Sequence, residues 1–426
     1  MKYEELLLYR NMKHMDILRD MSRLYEGAEK DLSLASSVVN RILELAAEYG
    51  FSGNLWRCFL SLLILEHENS FTLASEKRGK VSGTLYEAAK HDAEIFREMF
   101  NWKFRPLGKI MGTTCFSFLE GYEPALDDGV VFNRRISDRI VELSEKLGEA
   151  QDVNEFLTGM TDFYRDFGVG SFGMHKAFRI RHTADDRVEI EPISRVKHAK
   201  LSDIVGMESQ KQKLIENTEA FLAGRPANNV LLFGDAGTGK SSCIKGILNQ
   251  YFDDGLRVIE VYKHQFQDLN DVIRQVKSRN YKFILYMDDL SFEDTETEYK
   301  YLKAVIEGGL EKKPDNILIY ATSNRRHLVH EGFSDRLDRR DTDDIHESDT
   351  VQEKLSLSAR FGVTIYFGRP MKKEFETIVK TIAERRGVNM PEKELLLEAN
   401  KWELSHGGMS GRTAEQFIDY LLGTKN

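Results

Sequence analysis

The run Gly234-Asp235-Ala236-Gly237-Thr238-Gly239-Lys240-Ser241 constrains this chain more than any other eight residues. It fits G-x-x-x-x-G-K-[ST], a pattern with a mechanical reason behind it. A phosphate chain needs several converging N–H donors, and only a backbone nearly bare of side chains can wrap it that closely. Gly237 and Gly239 give the loop that freedom. Lys240 would then reach the β- and γ-phosphates, and the Ser241 hydroxyl would hold Mg²⁺. A helix beginning at Ser241 would point its N-terminal dipole at the anion. The flanks suit this reading. Asn229–Phe233 is a short apolar strand, and Cys243, Ile244, Ile247 and Leu248 mark one face of a following helix.

From about residue 200 onward, strand-like and helix-like stretches alternate. Val230–Phe233, Leu256–Tyr262, Phe283–Met287, Ile317–Ala321 and Val363–Phe367 are short and rich in β-branched and aromatic residues. They mostly lack polar alternation, as strands buried on both faces of a parallel sheet do. Helical patterns at Ser241–Gln250, Leu269–Val276 and Tyr299–Glu307 lie between them. Five strands with crossover helices predict an α/β doubly wound domain. Two later helical stretches, Lys372–Arg386 and Lys393–Leu422, predict a small helical lid.

The first half reads differently. Leu6–Tyr25, Ala35–Tyr49, Leu55–Leu65, Tyr86–Phe100 and Ile136–Leu147 repeat apolar residues at three-to-four spacing, so an all-α N-terminal domain is expected. No catalytic constellation stands out there, and an interaction or regulatory module is the natural reading. Gly168–Lys200 breaks the pattern with glycines, an extended run Arg187–Pro192 and many Arg, His and Lys residues. It reads as a linker, with or without a short hairpin. The expected organisation is a helical domain over 1–165, a linker over 166–200, a nucleotide-binding core over 201–370 and a lid over 371–426.

Bulk properties narrow the function. At 426 residues the chain exceeds one compact core. The longest largely apolar run, Phe59–Leu65, is far short of a bilayer span, and the N-terminus lacks a signal-peptide pattern. Three widely spaced cysteines (Cys58, Cys115, Cys243) indicate neither a disulfide framework nor a zinc cluster. A cytoplasmic protein without membrane association is expected. A formal net charge of −9 argues against sequence-independent nucleic-acid binding, while leaving a local basic patch open.

Beyond the loop, Tyr281–Met287 is an apolar strand ending in Asp288-Asp289. Asp288 would hold Mg²⁺, through water or directly, and Asp289 would orient and polarise an attacking water. The next strand ends Ala321-Thr322-Ser323-Asn324. Asn324 could hydrogen-bond the γ-phosphate or the water only if its strand lies between the phosphate-loop strand and the acidic one. His264, His327, His330 and His346 show no metal-ligand spacing and read as structural or exposed.

The order of phosphate loop, one strand, acidic strand and Asn-ended strand resembles the AAA+ ATPases. Leu201-Ser202-Asp203-Ile204-Val205-Gly206-Met207 resembles the family's adenine-side segment, which implies nucleotide contact at Gly206. Ser356-Leu357-Ser358-Ala359-Arg360-Phe361 resembles the element carrying the arginine finger, and Ser410-Gly411-Arg412-Thr413 the start of the helix with the second sensor arginine. Asp288-Asp289-Leu290-Ser291-Phe292, Leu302–Gly309 and Tyr320–Leu328 resemble one group within AAA+, an uncharacterised family of predicted prokaryotic ATP-binding proteins. The resemblance spans roughly residues 165–426.

It implies a P-loop NTPase of AAA+ type with ATP and Mg²⁺ as cofactors. Nucleotide contacts are expected at Gly206, at Gly234, Asp235, Ala236, Gly237, Thr238, Gly239, Lys240 and Ser241, and at Ser242. Ser241 and Asp288 would serve the metal, and Asp289, Asn324, Arg360 and Arg412 the chemistry. Two departures stand out. AAA+ proteins usually carry Asp-Glu where this chain has Asp288-Asp289, which points to slow or partner-dependent hydrolysis. Ala359 stands where this group is expected to have an acidic residue. Arg336, Arg339 and Arg340 compete with Arg360 as the finger, and a finger acting in trans implies a homo-oligomer. The expected role is ATP-driven remodelling or assembly of a protein client, with DNA as the second choice. Two rival readings are a small-molecule or nucleotide kinase and a nucleotide-switched adaptor with little hydrolysis.

Overall fold

The computed structural model describes residues 2–27, 30–124, 134–193, 196, 199–292, 296, 298–307, 314–324 and 357–424. The chain divides into two compact units, Met1–His175 and Lys176–Asn426.

Among the described residues the first unit is built from nine helices: α1 (Met15–Glu26), α2 (Leu32–Tyr49), α3 (Leu55–Glu66), α4 (Ser70–Arg78), α5 (Thr84–Phe100), α6 (Phe104–Met111), α7 (Arg134–Glu149), α8 (Val153–Phe167) and α9 (Gly170–Met174). Polar residues start several of them. The side chains of Asp31, Asn54, Asn69 and Asp152 each accept hydrogen bonds from backbone N–H groups of the first turn, satisfying donors a helix start leaves open. Helix α3 is apolar on nearly every side and is the buried centre of the unit. Trp56, Phe59, Phe96, Phe100 and Tyr164 pack its core. The carboxylate of Asp92, fully buried, accepts from the backbone N–H groups of Leu7, Leu8 and Tyr9 and fixes the N-terminal segment to α5.

The second unit is an α/β structure on one sheet. Its strands are β1 (Ala177–His182), β2 (Val188–Pro192), β3 (Val230–Gly234), β4 (Leu256–Glu260), β5 (Lys282–Met287), β6 (Ile317–Ser323) and β7 (Val363–Phe367). They lie in the order β2-β1-β4-β5-β6-β3-β7. Every neighbouring pair is parallel except β1 with β2. Strand β6 is buried throughout and β5 nearly so, as central strands covered on both faces must be.

The sheet therefore has seven strands, where five were expected. The two additional strands come from the segment read as a linker. In β1, buried Phe178 and Ile180 alternate with exposed Arg179 and Arg181, and Ala177 pairs with Val258 of β4. Such a strand near a sheet edge has one wet face, so its arginines mimic linker composition.

Crossover helices α10 (Glu208–Leu222), α11 (Lys240–Tyr251), α12 (Leu269–Val276) and α13 (Tyr299–Glu307) connect the strands. The C-terminal helices α14 (Lys372–Arg385), α15 (Glu392–Ser405) and α16 (Gly411–Thr424) form the lid, with a small core around Phe375, Val379, Phe417 and Ile418. Arg385 ties the lid to the segment before α10, donating to the carbonyls of Asp203 and Ser202 at 3.0 and 2.7 Å. No helix among the described residues is long and apolar enough to cross a membrane.

Candidate nucleotide and metal site

Gly234 at the end of β3 and Gly237 in the loop after it lie where a side chain would be crowded. A Cβ at Gly234, whose φ is +134°, would lie 2.1 Å from the carbonyl oxygen of Phe367. At Gly237 (φ +76°) it would meet Ser410 and Arg412 of the lid at 3.0–3.1 Å. The close approach of sheet and lid to the loop thus depends on bare backbone.

The loop opens into a cavity of about 620 Å³, within the range of sites for drug-sized ligands. Ala236, Gly237, Thr238, Gly239, Lys240, Ser241 and Ser242 line it on one side. Asp288, Asp289, Thr322 and Asn324 line another. Gly206 lines it with Ile204, Val205 and Met207, and the lid contributes Ile378, Ile382 and Arg412. Gly234 and Asp235 lie outside this cavity, beside a neighbouring groove with Phe233 and Tyr366. The Asp235 carboxylate turns to the chain after β7 and accepts from the Arg369 N–H at 3.1 Å.

Lys240 is buried, and its three N–H donors have three acceptors: the carbonyls of Gly234 (2.9 Å) and Asp235 (2.6 Å) and the side-chain oxygen of Asn324 (3.0 Å). Burial lowers its pKa against the opposing pull of Asp235, Asp289 and Asp288. Asn324 in turn donates its amide N–H to Asp289 Oδ1 at 2.7 Å. This chain of contacts exists because β6 lies between β3 and β5, bringing the Asn324, phosphate-loop and acidic strand ends together.

Two hydroxyls meet on Asp288. Ser241 Oγ donates to its Oδ1 at 2.7 Å and Thr322 Oγ1 donates to the same oxygen at 2.6 Å. Burial alone would raise the Asp288 carboxyl, but hydrogen bonds from Thr322 and Ser241 outweigh it and hold the group below the usual carboxylate range. Asp288 is thus kept anionic beside a serine hydroxyl, a hard oxygen pair of the kind Mg²⁺ accepts. The cavity volume, the bare loop and this oxygen pair fit a nucleoside triphosphate with its metal.

Arg412 reaches the cavity from the lid, whereas Arg360 does not. Arg360 follows a helical turn at 357–359 and forms an ion pair with Glu307 at the end of α13. Arg336, Arg339, Arg340, His327, His330 and His346 lie outside the described residues. Sequence reasoning assigned no role to Thr322, Ile378 or Ile382. The last two carry the i, i+4 spacing of any buried helix face, so only the fold distinguishes a cavity wall from a core. Lys211 was also missed: buried, it donates to the Ile204 carbonyl at 2.7 Å and supports the Ile204–Met207 segment.

Comparison with known proteins finds relatives of the sequence. A family profile described as "Protein of unknown function (DUF815)" matches residues 173–425. The replication factor C large subunit of Staphylothermus marinus is 34% identical over 80 residues, 18% of each chain. Chaperone protein ClpB of Propionibacterium freudenreichii subsp. shermanii is 23% identical over 252 residues, which is 54% of this chain and 26% of that protein. The chain therefore spans about a quarter or less of the length of these relatives. Among solved structures, the Thermotoga maritima RuvB Holliday junction branch migration motor superposes with a TM-score of 0.38 at 17% identity, over 54% of this chain and 67% of that one.

Proposed function

The chain belongs to the DUF815 family, and from that premise we propose that it is a Mg²⁺-dependent AAA+ ATPase. Binding and hydrolysis of ATP would couple to remodelling or assembly of a macromolecular partner. One observation carries the reading: Ser241 and Asp288 share a hydrogen bond beside Lys240, at the mouth of the glycine loop and inside one cavity.

On this reading the loop N–H groups and Lys240 bind the phosphates, exchanging the lysine's present oxygen partners for phosphate oxygens. Ser241 and Asp288 would hold Mg²⁺, which would supply charge neutralisation for the phosphates. Asp289 accepts a proton from the attacking water, and Asn324 fixes the orientation of that carboxylate. Arg412 brings a lid-borne cation to the phosphates. Ser410 and Arg412 lie close enough to Gly237 that a methyl group would crowd them, so loop movement on binding is transmitted to α16. Partner remodelling is supported by the ClpB relative, named as a chaperone, and by the replication factor C subunit. With a net charge of −9, a protein client is favoured over DNA. Arg360, outside the cavity, suits a role in a second copy's site and motivates the homo-oligomer.

The test is phosphate release by the full chain with Mg²⁺ and ATP and no added acceptor, against Lys240→Ala. Release that vanishes in the variant is expected. Strict dependence on an acceptor hydroxyl would make the chain a kinase instead. Tight ATP binding without turnover, insensitive to Asp289→Asn, would make it a nucleotide-switched adaptor. Asp289 itself favours that second reading, being shorter than the usual glutamate and backbone-constrained (φ +52°).

A further inference from the structure

We propose that Thr322 is a positioning residue that sets both carboxylates of the site, Asp288 for the metal and Asp289 for the water. This rests on the reading of the cavity as an ATP site. The β5–β6 ladder runs to the pair Met287 and Ala321. Past it the chain turns about a single residue of β6. The Thr322 carbonyl accepts the Leu290 N–H at 2.7 Å. Its hydroxyl oxygen accepts the Asp289 N–H at 2.9 Å and donates its own proton to Asp288 Oδ1 at 2.6 Å. One threonine thus holds three consecutive residues of the acidic turn.

The consequence is geometric. Asp289 sits in the left-handed region at φ +52°, where few side chains are at ease, and its N–H points at Thr322 Oγ1 rather than along the ladder. With that N–H held, the Asp289 side chain meets Asn324 at 2.7 Å. The same hydroxyl supplies Asp288 Oδ1 with a donor beside that from Ser241, so the contacts at Oδ1 fix the direction of the carboxylate. Thr322 is 2% exposed, so water has little access to replace these bonds. A purely structural threonine would be expected to satisfy its own hydroxyl; this one divides its two roles between the two residues on which the chemistry depends.

The experiment uses the full chain and a fluorescent ATP analogue, titrated once in EDTA and once with increasing Mg²⁺. Thr322→Val keeps the shape and removes the oxygen. In EDTA its affinity should match the unsubstituted chain, since Lys240 and the loop are intact. The Mg²⁺ concentration giving half of the metal-dependent change should rise about tenfold or more, as for loss of a residue that orients a metal ligand. Turnover should fall with it, and Thr322→Ser should restore both. Where Thr322→Val does not give a folded chain by thermal melting, Thr322→Cys, close in volume and a weak donor, supplies the contrast with Thr322→Ser. An unchanged Mg²⁺ response in Thr322→Val, or failure of Thr322→Ser to restore it, overturns the proposal alone. Absence of nucleotide binding by the unsubstituted chain overturns the ATP-site reading and this proposal together.

Discussion

Asn324 stands between the lysine of the phosphate loop and the second acidic residue: its oxygen takes Lys240 at 3.0 Å while its nitrogen donates to Asp289 Oδ1 at 2.7 Å. Asp289→Asn keeps an oxygen for that donor and suits a left-handed backbone, so the turn should survive. Only the negative charge is lost. If Asp289 accepts a proton from water, phosphate release should fall by about 10²-fold or more. Affinity for an ATP analogue should stay within about threefold. Turnover equal to that of the unsubstituted chain would remove Asp289 from the chemistry.

Asp289→Glu restores the residue AAA+ proteins usually have, yet it is not expected to give a faster enzyme. At φ +52° aspartate and asparagine are better tolerated than glutamate, whose side chain makes no compensating local hydrogen bond. A penalty of about 1 kcal/mol corresponds to about 2–4 °C in melting temperature for a domain of this size. Thermal melting of the full chain reads the penalty, and phosphate release reads the chemistry. A variant that melts unchanged and turns over faster would mean that the backbone does not select aspartate here.

These expectations also mark what a reader of the sequence could and could not see. The phosphate loop and the buried strands were legible because each has a local signature, a glycine pattern or an unbroken apolar run. The fold follows them closely: β6 between β3 and β5 is the arrangement on which Asn324 depended. The edge strands were only partly legible: the extended run Arg187–Pro192 contains β2, but the alternation of Phe178 and Ile180 with Arg179 and Arg181 in β1 joins the sheet only when β4 offers a partner. Thr322 was invisible for a related reason. Its significance lies in Asp288, Asp289 and Leu290, more than thirty residues earlier in the chain, and no local spacing encodes that.

Arg360 is engaged by Glu307, with both side chains about one-third exposed. If Arg360 serves a second copy's site, this contact competes with that role. Arg360→Ala should lower turnover by about 10²-fold or more while leaving ATP-analogue binding intact. Glu307→Gln should raise turnover by up to about fivefold, the factor for about 1 kcal/mol of a partly exposed ion pair. Mixing Lys240→Ala with Arg360→Ala chains should recover part of the activity, because an intact arginine from one can meet an intact loop from the other. No recovery on mixing, together with full activity of Arg360→Ala, would exclude it as a finger.

Asp288 gives the site a defined response to acid. Its folded-state pKa is depressed, with hydrogen bonds from Thr322 and Ser241 overcoming the opposing effect of burial. A depressed carboxylate contributes stability that is fully present above its unfolded value of about 3.9. That contribution is lost as pH falls from there through the lower folded value. Asp288→Asn cannot titrate. The stability difference between the unsubstituted chain and Asp288→Asn should therefore be constant from about pH 8 down to about pH 5, and shift against the unsubstituted chain below about pH 4. Denaturant unfolding of both full chains at stepped pH measures this. A difference that instead changed between pH 5 and 8 would mean that Asp288 is protonated in the working range, which is incompatible with its holding a divalent cation there.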